Sequence, residues 1–166
     1  MDKKQKFANY VRNFIFGVED SLVSTVGLLS GIAYAEVPKQ TIFLTGIILI
    51  FVEAFSMGVG SFLSEQSAQE YLKNNIKTSS RSLVGALIMF LSYFAAGFIP
   101  LFPYLVFSTS LALTVSIVLS LVSLFMLGLV SARMFKTNVL KSAFRMLLVG
   151  GIAICAGVLV GKVVKS

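Results

Sequence analysis

The chain has 166 residues, 57% of them hydrophobic, with a mean hydropathy of +0.91 and only 13% charged. A soluble domain carries about 25% charged residues, so this balance fits a chain that lies mostly in lipid. The complete lack of histidine and the single cysteine, Cys155, exclude imidazole metal sites, Ser/His/Asp and Cys/His catalysis, iron–sulfur ligation and an intramolecular disulfide.

A membrane-spanning helix needs about 20 mostly apolar residues. Five such segments are predicted, at 13–36, 41–64, 82–100, 104–131 and 143–163, in one membrane domain covering 1–166. The expected fold class is all-α, a five-span transmembrane helical bundle. The head, Met1 to Arg12, is polar. The first span is not a cleavable signal, because Glu19 and Asp20 interrupt it and no short apolar core with a cleavage site follows the basic residues. Val37-Pro38-Lys39-Gln40 joins spans one and two, and Pro100-Leu101-Phe102-Pro103 joins spans three and four, with the prolines as helix punctuation. Residues 65–73 are good helix formers without Gly or Pro, so the second helix is expected to run past the membrane. Asn74-Asn75 would end it, and Ser79 or Ser80 would cap the third span.

Small residues recur at helix-contact spacing. They are Gly17, Ser24, Gly27 and Gly31 in the first span, Ser116, Ser120 and Ser123 in the fourth, and Gly150, Gly157 and Gly161 in the fifth. Such stripes let helices approach closely in lipid. Packing inside the bundle and, for the first span, a homodimer face are both open.

Of the 14 lysines and arginines, 11 lie in the head, the second-to-third connection and the fourth-to-fifth connection, all on one side. The positive-inside rule puts the N-terminus in the cytoplasm and the C-terminus outside. The net charge of +7 therefore reflects membrane orientation, and no nucleic-acid partner is expected.

Ionisable groups at bilayer depth are costly and mark function. Asp20 lies about 10 Å in from the cytoplasmic end of the first span, at ~1.5 Å per residue. Counting back from the end of the second span puts Met57 at about the same depth and Glu53 at about 16 Å. Asp20 and Met57 are then expected to share a level, with Glu53 one turn deeper. Ser24 follows Asp20 on one helix face, and Ser61 and Ser64 follow Met57 on the other. Carboxylates with a thioether favour first-row transition metals over magnesium or calcium. A carboxylate in a low-dielectric setting can trade a proton for a cation. The blander alternatives are a packing role for Met57, a hydrogen-bonded structural acid at Glu53 and a helix-end role for Asp20. Glu19 would face headgroups or pair with Arg12.

Glu19-Asp20-Ser21-Leu22-Val23-Ser24-Thr25-Val26-Gly27 resembles the first-span signature of the vacuolar iron transporter family, Asp-Gly-Leu-Val-Ser and a run of small residues. Ser56-Met57-Gly58-Val59-Gly60-Ser61-Phe62-Leu63-Ser64 resembles its second-span signature, Ser-Met-Ala-x-Gly-Glu-Tyr-Val-Ser, and Ser67-x-x-Glu70 its polar exit. The resemblance implies a homodimer that moves ferrous iron, and manganese in some cases, out of the cytoplasm against protons. It implies that Asp20 and Met57 line the path near the dimer interface. The metal would be cargo rather than a permanently bound cofactor. Two departures stand out. The family's glutamate is Ser61 here, while Glu53 stands where the family usually has a small residue. The long acidic metal-binding domain that many members carry between spans two and three is replaced by residues 65–81, whose only acids are Glu65 and Glu70.

The sequence thus leads to a metal set of Asp20, Met57, Glu53, Ser24 and Ser61, with Glu65 and Glu70 drawing cations to the entrance. The expected setting is a prokaryotic plasma membrane. The competing classes are a non-transporting membrane scaffold or assembly protein and a transporter of another small cation; an enzyme is not expected.

Overall fold

The computed structural model describes residues 3–73 and 80–165. They form six helices: α1 (Lys3–Tyr34), α2 (Lys39–Lys73), α3 (Ser80–Leu101), the short α4 (Pro103–Val106), α5 (Thr109–Phe135) and α6 (Val139–Lys165). Five segments are long and apolar enough to cross a membrane, with α3 and α4 together making the third.

The helices of the second, third and fifth spans outrun the predicted bounds at both ends, whereas α1 starts early but ends at Tyr34, short of 36, and α5 starts at Thr109 rather than at 104. The polar head is the first part of α1, and α2 continues as far as Lys73. The predicted end at Asn74-Asn75 and the cap at Ser79 lie outside the described residues. Pro100 does not end the third helix but lies inside its last turn. A proline at that place costs only one backbone donor, and its own carbonyl, close to the helix end, accepts from the Ser116 hydroxyl at 2.7 Å. The chain breaks later, at Phe107 and Ser108, after which α5 begins.

The other turns follow local chemistry. Glu36 ends α1 in the left-handed region, at φ 58°. Its N–H donates to the Ala33 carbonyl, and that of Val37 to the Ile32 carbonyl. This pairing closes a helix end and normally selects glycine. Pro38 then prevents any continuation. Lys136 ends α5 in the same conformation. Asn138 starts α6 by accepting the Lys141 N–H at 3.2 Å.

α1 is the central helix and packs against α2, α3, α5 and α6. One core cluster joins Ile15 and Leu22 to Leu124 and Met146; a second, at the other end, joins Leu29 and Ala33 to Ile50, Leu101 and Tyr104. Along α1 and α6, Gly27 faces Ala153 and Gly31 faces Gly157, so these helices run parallel. A methyl group on Gly157 or Gly161 would strike the carbonyls of Gly27 and Gly31 respectively. The glycine stripe of the first span is therefore spent inside the chain, on α6, and is not a free dimer face. Gly128 meets the backbone of Ala143 in the same way, locking α6 to α5.

Candidate functional site

The site lies where α1, α2 and α3 meet, and its register is set by close contacts. Asn13 donates to the Ser61 hydroxyl at 3.2 Å, and Leu29 touches the space beside Gly46. These two points set α1 and α2 antiparallel, with Asp20 opposite Ala54 and Phe55 and Met57 opposite Gly17 and Val18, so that Asp20 lies between the levels of Glu53 and Met57, less than one turn from either. The two acids are close enough that the Glu53 charge acts on Asp20.

Tyr93 of α3 completes this level. It is fully buried, and its hydroxyl lies 2.7 Å from the Ser24 hydroxyl. The Ser21 hydroxyl donates to its carbonyl at 2.6 Å. Both Asp20 and Glu53 act on the Tyr93 hydroxyl through space. Ser24 is thus tied to a tyrosine, and Ser61 to an asparagine. Gly97, one turn beyond Tyr93, is what allows this approach, since a methyl group there would lie 3.0 Å from the Ser21 hydroxyl and 2.6 Å from Ile50.

Below the acids, towards the basic end, lies a cavity of about 780 Å³ between α1 and α2. Asn13, Met57, Ser61, Glu65 and Met89 are on its wall. Asp20 and Glu53 are not among its lining residues and stand beyond its Met57 end. Met57 is half-buried, while Ser56, Gly60 and Ser64 on the same helix are exposed, so the cavity opens sideways along α2.

Glu65 is at the mouth. One of its carboxylate oxygens lies 3.4 Å from the Arg81 guanidinium and accepts from Gln69 at 3.3 Å. Glu70 does not line the cavity, and it accepts from Gln66 at 3.0 Å. The cation that acts on Glu19 is Arg145 of α6 rather than Arg12. Among the described residues no three His, Cys, Asp or Glu side chains converge. A cation here would be held by two carboxylates supplemented by thioether, hydroxyl or amide groups.

Three residues escaped the sequence reading. Asn13 sits two turns before Asp20, at the seven-residue spacing that keeps both on one face, but as the first residue of the first span it carried no signal of its own. Met89 and Tyr93 lie in the third span, where nothing in the local pattern separates them from core residues. The small neighbours of Tyr93, namely Ser92, Ala96 and Gly97, were the available signal for a close helix contact.

Comparison with known proteins agrees with this architecture. The profile of the VIT family matches residues 11–85 and 75–162, two stretches that meet at the α2–α3 junction. The chain is 23% identical to Vacuolar iron transporter 1 of Arabidopsis thaliana over 215 aligned positions, covering 93% of this chain and 86% of the relative. It is 24% identical to Vacuolar iron transporter 2 of Oryza sativa subsp. japonica over 216 positions, covering 94% and 88%. It is 27% identical to Vacuolar iron transporter homolog 4 of Arabidopsis thaliana over 166 positions, covering 89% and 80%. With five long apolar helices and a match along nearly its whole length, the chain is a multi-pass membrane protein that belongs to the VIT family.

Proposed function

We propose that the chain carries a divalent transition metal, ferrous iron or manganese, out of the cytoplasm in exchange for protons. The observation that carries this reading is the place of Asp20 between the levels of Glu53 and Met57, beyond the end of the cavity that Met57 lines. Two carboxylates facing each other at bilayer depth hold a divalent cation without leaving net charge in lipid, and hold protons when the cation has left. The relatives named as vacuolar iron transporters support iron as cargo.

The path begins at the basic end, which the positive-inside rule assigns to the cytoplasm. The cation enters beside Glu65, passes Ser61 and Met57 and reaches Asp20 and Glu53. Thioether contact favours a borderline ion over magnesium or calcium. Glu53 serves as ligand and proton carrier, standing in for the acid absent at Ser61. Tyr93 keeps Ser24 oriented towards this level. The cavity opens along Ser56, Gly60 and Ser64, and a second copy of the chain against this face would close it, so the transporting unit is a homodimer. A prokaryotic plasma membrane is the setting this reading assigns.

Purified protein in sealed vesicles tests the proposal. An imposed pH gradient is expected to drive uptake of manganese, or of ferrous iron under anaerobic conditions. Asp20→Asn and Glu53→Gln are each expected to lower the rate at least about tenfold, the scale of a lost charge-assisted contact. If both variants and Met57→Ala transport like the parent, the site is wrong. A parent that neither moves nor binds metal is a scaffold instead.

A further inference from the structure

Asn13 is 3% exposed, at the start of a membrane helix, where a buried amide is costly unless all its polar atoms are met. Its Nδ2 makes two hydrogen bonds, to the Gly85 carbonyl at 3.1 Å and to the Ser61 hydroxyl at 3.2 Å. The Gly85 carbonyl can only accept, so it must face the amide nitrogen, and the orientation of the amide is thereby settled. Oδ1 accepts no hydrogen bond from the described residues, yet it is not among the polar atoms sealed from solvent without a partner. The open space that Asn13 borders is the cavity whose wall it shares with Met57 and Glu65.

The third helix is shaped around this arrangement. A methyl group on Gly85 would lie 3.0 Å from Asn13 Nδ2 and 3.2 Å from Glu65 Oε2. The missing side chain leaves room for the amide and the carboxylate side by side. Fixed charge alone does not draw a cation through the cavity, since Arg12 shares its wall with Glu65 and Arg81 faces that same carboxylate. What such a passage lacks is a neutral oxygen that can replace water on a cation without trapping it. Amide oxygen is that type of donor, and an amide held by two hydrogen bonds loses no further freedom when it binds.

We propose that Asn13 is a cation-binding residue of the entrance, whose Oδ1 contacts the divalent cation before it reaches Met57 and the two acids. The proposal rests on the transport reading above. Ser61, in the place of the family acid, then acts through Asn13 as a positioning residue that holds the amide rather than as a ligand in its own right.

The test is manganese uptake into vesicles, with half-saturating concentration and maximal rate measured separately for the full chain. Asn13→Ala is expected to raise the half-saturating concentration about tenfold, with the maximal rate per folded protein within about twofold, as loss of a binding contact requires. Asn13→Asp keeps an oxygen donor but loses the hydrogen bond to the Gly85 carbonyl, while the Ser61 hydroxyl can still donate to it, and it is expected to stay near the parent value. A purely structural asparagine gives the opposite pattern: Asn13→Asp is as damaged as Asn13→Ala, and half-saturation is unmoved in both. If Asn13→Ala does not fold, Gly85→Ala, which crowds the amide, is expected to raise half-saturation, and an unmoved value there overturns the proposal. A parent that moves no metal overturns the transport reading and this inference with it. A transporting parent whose half-saturation is shared by Asn13→Ala overturns the inference alone.

Discussion

α1 presents two faces with opposite chemistry. Towards α6 it offers Gly27 and Gly31, and the facing glycines press against its carbonyls, leaving no space for a side chain. Towards α2 it offers Asn13 and Asp20, and the helices stand apart around a cavity whose wall carries Ser61, Met57 and Glu65. Both faces are rich in small residues at helical spacing. The lesson is that a small-residue stripe does not announce its use. On α1 it closes a dry seam, while on α2 the exposed Ser56, Gly60 and Ser64 leave an opening.

The same substitution on the two faces should therefore behave differently. Gly157→Ala puts a methyl group into the Gly27 carbonyl, and neither helix backbone can yield cheaply. We expect a loss of about 3 kcal/mol or more, at the upper end of overpacking costs, read as a fall in melting temperature in detergent. Gly60→Ala, with nothing within 4 Å of the added carbon, should leave that temperature unchanged or slightly higher. A collapse on Gly60→Ala, or tolerance of Gly157→Ala, would break the comparison.

Smaller effects sharpen it. Ser116→Ala removes the donor on the Pro100 carbonyl, in a buried place, and should cost about 1–3 kcal/mol. Tyr93→Phe removes the bond to Ser24 and should cost about 1 kcal/mol in stability. Because it also frees Ser24 beside the acids, its clearer sign should be a slower metal uptake rate. The smallest effect belongs to the outer end. Lys165 reaches Glu36 at 2.6 Å, but the Glu36 side chain is 75% exposed. Lys165→Ala should change stability by less than about 1 kcal/mol, and a larger fall in melting temperature would mean that this pair clamps α6 onto α1.

The helical class and the five apolar segments were legible because apolar runs of this length leave few alternatives in lipid. The extension of the second helix to Lys73 was legible from helix formers alone. The break after the third helix was not, because Pro100 reads as a boundary in the sequence, whereas it stands in the helix's last turn with its carbonyl bonded to Ser116 of α5. At the site, Asp20, Glu53 and Met57 could be singled out because charge and sulfur at depth need a reason. Asn13, Met89 and Tyr93 could not, because their significance is a matter of which helix they touch.

What the sequence by itself determined is therefore the inventory: helices long enough to span, acids too costly to be casual, and motifs resembling one family. The tertiary structure alone decided the pairing. It set Asp20 between the levels of Glu53 and Met57, gave the Gly27 and Gly31 stripe to α6, and turned Ser61 towards Asn13. The reason is that helix formation depends on residues close in the chain, whereas the register between two helices depends on side chains meeting across the bundle, such as Asn13 with Ser61, 48 positions apart.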